Sequence, residues 1–268
     1  PVVASNRINQ LEIAEDLLLT EQADLVSMAR PFLADPMILV KTRENRQREI
    51  RTCVGCNQAC LDHVFTGKPV SCVVNPRAGR EWDEEWNIVS VEENNRKKIA
   101  VAGAGPAGLE AARVLAERGH HVFLFEQQES IGGQLNIAKL IPGKEEWKET
   151  LRYYQAQIEK LGIQLFLNKH LTADEVLAEK YDHVIVATGS MMKEPEIKGV
   201  ELPHVVTYQD VFAGKASLGK RIAIIGAGGI AVDLSKYITE KSISQHLVQY
   251  LMEYSIMKSA DMQHYLQE

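Results

Sequence analysis

Four cysteines are the residues of this sequence whose types and spacing say most about chemistry. They follow the pattern Cys53-x2-Cys56-x3-Cys60-x11-Cys72, and the rest of the 268-residue chain has no cysteine. Thiolates that converge from one short segment can bind an iron–sulfur cluster, whereas structural zinc more often uses two separated Cys-x2-Cys pairs. Three of the cysteines fall within eight residues and the fourth follows a longer loop, which favours a cluster over zinc. A secreted disulfide framework would spread its cysteines along the chain, so their clustering indicates a reducing compartment.

A first glycine-rich loop, Gly103-x-Gly105-x-x-Gly108, follows a predicted strand and opens a predicted helix. The three glycines would permit a tight turn, the approach of a pyrophosphate and close helix–strand packing, in that order. Glu126 comes 23 residues after Gly103, at the end of the next predicted strand. Phosphates would lie at the helix N-terminus, and Glu126 would accept the ribose hydroxyls. The segment therefore predicts a dinucleotide site.

A second loop, Gly226-x-Gly228-x-x-Ala231, follows a predicted strand over Arg221–Ile225. No second strand with a ribose-reading residue is visible in the polar, helix-like residues 234–268, so a glycine turn used only for packing stays an alternative. Two nucleotide folds in one chain are typical of a flavin that accepts hydride from a nicotinamide. Beside a cluster, a flavin converts a two-electron donor into a source of single electrons.

The elements that position these loops alternate between strands and helices, which predicts an α/β fold with parallel strands. Residues 51–80 are expected to be mostly loop, and residues 80–98 form a densely charged connection. The predicted strands are 2–5, 23–28, 99–102, 121–125, 164–167, 181–189 and 221–225, and the predicted helices are 10–19, 37–49, 109–118 and 151–161.

Composition excludes several classes of protein. The chain is 45% hydrophobic and 25% charged, which is ordinary for a globular protein and unlike a disordered or collagen-like one. Its net charge is −6 and it has no basic block, so we expect no nucleic-acid partner. No apolar run is long enough to span a membrane, and no secretion leader is evident, so we expect a cytoplasmic protein.

Five segments resemble the NADPH-dependent 2,4-dienoyl-CoA reductases of bacteria, in the group that includes trimethylamine dehydrogenase and NADH:flavin oxidoreductases of the old-yellow-enzyme type. The segments are 53–62 (Cys-Val-Gly-Cys-Asn-Gln-Ala-Cys-Leu-Asp), 71–77, 101–108, 131–139 and 141–154. The resemblance implies a (β/α)8 barrel that binds FMN, a [4Fe–4S] loop, and Rossmann-like domains for FAD and NADPH. The implied function passes electrons from NADPH through FAD and the cluster to FMN, which reduces 2,4-dienoyl-CoA in fatty-acid β-oxidation.

The resemblance also implies which residues contact each cofactor. Leu171 would contribute backbone atoms to the adenine of FAD. The full set is Asn6, Arg7, Ala29 and Arg30 for the FMN phosphate; Gly103, Gly105, Ala107, Gly108, Glu126, Gln134, Lys144 and Leu171 for FAD; Gly226, Gly228 and Ala231 for NADPH; and Cys53, Cys56, Cys60 and Cys72 for the cluster.

The domains implied by the resemblance divide the chain into four parts. Residues 1–50 would be the last two β-α units of the barrel, and residues 51–97 the cluster loop and linker. Residues 98–215 would bind FAD, and residues 216–268 would begin the NADPH domain. The chain would then be an internal fragment whose catalytic acid and base lie before residue 1. The substrate and NADPH are the expected partners, and the oligomeric state stays open.

Three alternatives remain at this point. The chain can belong to an enoate reductase or amine dehydrogenase of the same group, because the residues that would decide lie outside it. It also resembles the small subunit of glutamate synthase, although that family usually carries more cysteines and has no place for a barrel segment. The third alternative is a non-catalytic fragment without cofactors.

Overall fold

The computed structural model describes residues 1–193 and 195–240. It separates the chain into two compact units. The first unit comprises residues 1–136 and 146–190, and the second comprises residues 137–145 and the chain from Met191 onward. The last 28 residues, 241–268, which include most of the polar segment singled out in the sequence, lie outside the described residues.

The first unit begins with two short parallel strands that alternate with helices. Strand β1 (Val3–Ser5) pairs in parallel with β2 (Leu25–Ser27), and helix α1 (Leu11–Leu19) connects them. Helix α2 (Arg30–Ala34) follows directly after β2, and α3 (Ile38–Arg43) comes next. The β-α-β-α order predicted for this region is confirmed.

The helix predicted over residues 37–49 is shorter than expected. Helix α3 ends at Arg43, and a separate 3-10 turn covers Gln47–Glu49. Between them Asn45 adopts a left-handed backbone conformation with φ of 57°. A residue in that conformation cannot continue a right-handed helix, and asparagine is one of the few side chains that tolerate it.

The cysteine segment is mostly loop, as predicted, but it contains the short helix α4 (Leu61–Phe65) immediately after Cys60. The charged connection that follows holds two 3-10 turns, Glu84–Trp86 and Glu93–Asn95. Both turns are rich in acidic residues and largely exposed.

A four-stranded parallel sheet forms the rest of the first unit. Its strands are β3 (Lys98–Ala102), β4 (His121–Phe125), β5 (Gln164–Phe166) and β6 (His183–Val186), in the order β5-β4-β3-β6. Helices α5 (Pro106–Glu117) and α7 (Trp147–Leu161) accompany the sheet, with the short helix α8 (Ala173–Glu179). The short helix α6 (Leu135–Ala138) begins in the first unit, and its last two residues belong to the second. A parallel α/β sheet of this order confirms the predicted Rossmann-like fold.

The core of the sheet lies against α5 and α7. Val101, Leu109 and Leu124 are almost completely buried, and Tyr153 and Tyr154 of α7 pack against them. The side chain of Arg113 is buried beside them and pairs with Glu110 at 2.7 Å and with Glu117 on its own helix. Burial disfavours a charge unless it is paired, and these two carboxylates provide the pairing.

The second unit contains α9 (Tyr208–Phe212) and α10 (Gly229–Thr239) in its described part. The strand predicted over Arg221–Ile225 is wrong, because these residues form no strand. A strand needs a partner for its backbone hydrogen bonds, and residues 137–145, 191–193 and 195–240 provide no other strand. Across residues 1–193 and 195–240, no helix is long and apolar enough to cross a membrane.

Candidate functional site

The first glycine loop lies at the carboxyl end of β3, in the middle of the sheet. Gly103 has a φ of 103°, and a Cβ there would overlap the backbone of Ala187, at the end of β6. A Cβ on Gly108 would overlap the carbonyl oxygen of Gly103. By contrast, no atom of the described residues, apart from the adjoining chain, lies within 4 Å of where a Cβ of Gly105 would be. The side of the loop at Gly105 is therefore open to a ligand.

Glu126 lies at the end of β4, beside this loop. Its side chain is 7% exposed, and its Oε2 accepts a 2.8 Å hydrogen bond from the backbone N–H of Ala104. Its Oε1 accepts one from the N–H of Gln128 at 2.9 Å. Glu126 thus holds the glycine loop against β4, a structural role that the sequence did not reveal, and each oxygen keeps accepting capacity for a hydroxyl group.

Three further residues predicted to contact FAD lie around the same loop. Ala107 is exposed in the first turn of α5. Gln134 is exposed on the segment whose Gly132 N–H donates a 2.8 Å hydrogen bond to the carbonyl of Ala104. Leu171 is half-buried, two residues after Lys169, whose N–H donates to the Glu126 carbonyl at 2.8 Å.

Lys144, the remaining residue predicted to contact FAD, belongs to the second unit. Its Nζ lies 2.6 Å and 2.7 Å from the two carboxylate oxygens of Asp233, on α10. Lys236 of the same helix donates to the carbonyl of Pro142 at 3.3 Å. These two lysines connect α10 to the 137–145 segment within the second unit.

The four cysteines line one small cavity. All four are free thiols of intermediate burial. Three of them, Cys53, Cys56 and Cys72, pack against a buried apolar cluster together with Trp147 of α7. The cavity is bounded otherwise by Arg30, Leu33, Val54, Asn57, Ala59, Val73 and Val74.

The environment of the thiols is apolar, with backbone amides directed at the sulfur atoms. Burial raises the pKa of Cys56 and of Cys72. A backbone hydrogen bond from Gln58 to Cys56, and others from Val74 and Asn75 to Cys72, act in the opposite direction and lower the pKa of each thiol. Hydrogen bonds to sulfur are among the interactions by which proteins tune iron–sulfur centres.

Among the described residues, no group of three or more His, Cys, Asp or Glu side chains could hold a single metal ion. Zinc forms bonds of about 2.3 Å to sulfur and so needs its ligands within about 4 Å of one another. A [4Fe–4S] cluster takes four thiolates, and the four cysteines that line this cavity supply that donor set.

A second cavity, of about 230 Å³, opens at the carboxyl ends of β1 and β2. The four residues predicted for the FMN phosphate, Asn6, Arg7, Ala29 and Arg30, all line it. Cys53 and Arg30 line both this cavity and the cysteine cavity, so the two cavities share a wall. We call them the strand-end cavity and the cysteine cavity.

The positive charge of the strand-end cavity is only partly balanced. Arg7 pairs with Glu146 through a 2.6 Å contact. Arg30 donates to the amide oxygens of Asn6 at 2.6 Å and Asn57 at 2.7 Å, and it pairs with no carboxylate in the described part of the chain. Both Asn6 and Arg7 have positive φ values, 72° and 57°. Strained backbone of this kind clusters at ligand sites.

The second glycine loop precedes α10, with Gly228 at the helix N-cap and a φ of 116° at Gly226. No atom of the described chain lies within 4 Å of a Cβ placed on Gly226 or Gly228. Ala231 lies in the first turn of the helix and is half-buried. The loop and helix of the prediction are present without the strand.

Comparison with known proteins identifies the family. The family model of pyridine nucleotide-disulphide oxidoreductases matches residues 97–268, which include both glycine loops. The chain belongs to this family. This is an oxidoreductase family that binds pyridine nucleotides, and the assignment agrees with the dinucleotide sites predicted from the sequence.

The matches to individual relatives cover more of this chain than residues 97–268. The chain is 38% identical to a metal reductase of Desulforamulus reducens, over 94% of this chain and 38% of that protein. A solved structure of 2-naphthoyl-CoA reductase in complex with 2-naphthoyl-CoA has a TM-score of 0.86 at 40% identity, over 90% of this chain and 36% of that one. Histamine dehydrogenase from Rhizobium sp. 4-9 has a TM-score of 0.70 at 32% identity, over 81% of this chain and 33% of that one.

The relatives are reductases and dehydrogenases, and they support the predicted group of flavin-dependent oxidoreductases. Assignment to 2,4-dienoyl-CoA reductase within that group stays a prediction. The chain spans less than two fifths of the length of each of these relatives.

Three residues of the site were not predicted from the sequence: Asn9, Asn57 and Glu146. Asn9 donates to the carbonyl of Cys53 at 2.9 Å, and the other two contact the predicted arginines. Asn57 adjoins Cys56, so its position next to a predicted cluster ligand could have marked it. Nothing in the sequence pairs Arg7 with Glu146, 139 residues away.

Proposed function

We propose that this chain is the part of an iron–sulfur flavoprotein oxidoreductase that receives electrons from NADPH and directs them toward FMN. The single observation that carries the proposal is the arrangement of all four cysteines around one cavity, which shares Arg30 and Cys53 with the strand-end cavity. A four-thiolate site beside a cationic pocket, in a family that binds pyridine nucleotides, supports a relay between a nucleotide and a second cofactor.

Cys53, Cys56, Cys60 and Cys72 would hold a [4Fe–4S] cluster. The apolar walls of the cysteine cavity, including Leu33 and Val54, would limit the access of water to it. The backbone amides that reach Cys56 and Cys72 favour thiolate over thiol in an otherwise apolar environment.

The first glycine loop and Glu126 would hold FAD. The positive end of the dipole of α5, a helix of 12 residues, would face the pyrophosphate at Gly105, where there is room for it. Glu126 would accept the ribose hydroxyls with lone pairs that its two backbone hydrogen bonds leave available. Ala107, Gln134 and Leu171 lie near the loop, and Lys144 is the predicted FAD contact that belongs to the second unit.

The strand-end cavity would hold the phosphate of FMN. Arg30 presents a charge that no carboxylate of the described chain neutralises, and a phosphate monoester would neutralise it. Asn6, Arg7 and Ala29 line the same cavity. In the second unit, Gly226, Gly228 and Ala231 would face NADPH. When bound, the flavins and the cluster would supply the conversion of a two-electron donor into single-electron transfers.

For the substrate we propose a conjugated acyl-CoA thioester of the 2,4-dienoyl type. The likeness to 2-naphthoyl-CoA reductase, which extends over 90% of this chain, supports a CoA thioester. Oxidation of an amine is the second candidate, and the likeness to histamine dehydrogenase favours it.

NADPH oxidation by the FAD-loaded, full-length protein tests the proposal. Under anaerobic conditions, NADPH should bleach the visible absorbance of the bound flavin, and Glu126→Gln should weaken FAD binding by about tenfold or more, since one charged partner of the ribose is lost. Glu129→Gln, on the exposed part of the same loop, is the matched control and should bind FAD normally. Bound FAD that NADPH fails to reduce would contradict the electron-input role.

The substrate is tested with the full-length protein. Supplied with NADPH, it should reduce 2,4-dienoyl-CoA faster than 2-naphthoyl-CoA. Oxidation of histamine without reduction of either thioester would replace the first candidate with the second.

A further inference from the structure

The cysteine loop is attached to the strand-end cavity at three alternate residues: Cys53, Gly55 and Asn57. The buried side chain of Asn9 donates to the carbonyl of Cys53 at 2.9 Å. The guanidinium of Arg7 lies directly against Gly55, where a Cβ would overlap its Nη1. These contacts belong to the same segment that provides three of the four cysteines.

The third attachment joins Asn57 to Arg30, the arginine of the strand-end cavity that pairs with no carboxylate in the described part of the chain. Arg30 donates through Nη1 to Asn57 Oδ1 at 2.7 Å and through Nη2 to Asn6 Oδ1 at 2.6 Å. Because a guanidinium group is planar, hydrogen bonds on both of its sides fix its orientation. Asn57 itself has a left-handed backbone conformation with φ of 59°, and it lies between Cys56 and Cys60.

We propose that Asn57 is a positioning residue that couples cluster binding in the cysteine cavity to FMN binding in the strand-end cavity. When the cysteines hold their cluster, the loop is fixed and the Asn57 amide holds Arg30 in the orientation that receives a phosphate monoester. Without the cluster the loop is less constrained, so FMN binding must also order the Arg30 side chain. The free energy lost in that ordering weakens FMN binding. The inference rests on the proposed function, because it assumes FMN in the strand-end cavity and a cluster in the cysteine cavity.

Coupling of this kind is reciprocal, so the cluster-loaded chain binds FMN more tightly and bound FMN stabilises the loaded loop by the same factor. Coupling between interacting sites is typically at least about fivefold in affinity. Riboflavin lacks the phosphate that Arg30 receives, so its binding is independent of the cluster.

The test measures the dissociation constant of FMN, by quenching of flavin fluorescence, for the full-length protein with and without its reconstituted cluster. We expect the loaded form to bind FMN about fivefold more tightly or better, and to bind riboflavin no better than the form without cluster. Asn57→Gly removes the amide without backbone strain, because glycine accepts a positive φ, and it should bring the FMN ratio close to one. Asn45→Gly makes the same change at another left-handed asparagine, φ 57°, and should keep the wild-type ratio.

A second variant covers the case in which Asn57→Gly fails to load its cluster. Arg30→Lys keeps every residue of the cysteine loop but cannot hold both amides in a plane, so the ratio should again approach one. Equal FMN affinities with and without cluster in the wild-type protein would overturn the coupling but not the proposed function. The same holds if either variant keeps the wild-type ratio of the two FMN affinities. A chain that takes up iron but binds no FMN, or that takes up no iron, would contradict the proposed function and the coupling with it.

Discussion

Two glycines of the same loop should respond in opposite ways to the same added methyl group. In Gly108→Ala, the new Cβ would lie 1.8 Å from its nearest neighbour, whereas Cβ atoms keep at least 3.0 Å from other atoms. The opposing atom is the carbonyl oxygen of Gly103, which belongs to the backbone and cannot rotate away. Overpacking of this severity costs about 3 kcal/mol. In Gly105→Ala, the methyl group meets no non-adjacent atom within 4 Å in residues 1–193 and 195–240, so the folded chain should tolerate it.

Urea unfolding without flavin, followed by FAD titration, separates the two effects. With a denaturant slope of about 2 kcal/mol/M, Gly108→Ala should lower the unfolding midpoint by about 1.5 M. Gly105→Ala should leave the midpoint nearly unchanged and weaken FAD binding by about tenfold or more, because its methyl group occupies the space predicted for the pyrophosphate. A destabilised Gly105→Ala, or one that binds FAD normally, would refute this assignment of the open side of the loop.

Two further predictions concern stability. Thr172 and Glu175 form a capping box at the start of α8, in which Thr172 Oγ1 accepts from the Glu175 N–H at 3.3 Å and Glu175 Oε2 accepts from the Thr172 N–H at 2.9 Å. Thr172→Ala should cost about 1 kcal/mol and speed amide exchange at the start of this helix; unchanged exchange would show that the cap contributes nothing. Burial raises the pKa of Tyr153 to about 12, so its contribution to stability is constant below about pH 10 and falls as the pH rises toward 12. Between about pH 9 and 11, the free energy of unfolding measured in urea should therefore fall by about 1 kcal/mol less in Tyr153→Phe than in wild type. An equal fall in both proteins would contradict burial as the cause.

The sequence predicted the parts of the fold that depend on local pattern. Strand β4 was predicted with the bounds His121–Phe125 that the structure has, since its apolar run is flanked by a glycine turn and Glu126. The first glycine loop was likewise found between a strand and a helix. The break after α3 carried a signal too, because Asn45 suits the left-handed conformation that ends a helix.

Features that depend on distant partners could not be predicted. Arg221–Ile225 has the composition of a buried strand, but a strand exists only where another strand pairs with it, and single-sequence patterns do not report pairing. Glu126 was assigned a ribose contact, whereas its bonds to Ala104 and Gln128 became visible only in three dimensions. The same holds for Arg30 and Asn57, which are 27 residues apart and meet at the wall between the two cavities.

Metal analysis of the anaerobically purified protein tests most directly whether the four cysteines hold an iron–sulfur cluster. We expect about four iron atoms and four acid-labile sulfides per chain, with the visible absorbance of a cluster. Cys72→Ser should lose most of both, because a [4Fe–4S] cluster takes four cysteine ligands. Stoichiometric zinc, no metal, or iron that is unaffected by Cys72→Ser would contradict the cluster and leave the family match and the glycine loops as support for an oxidoreductase.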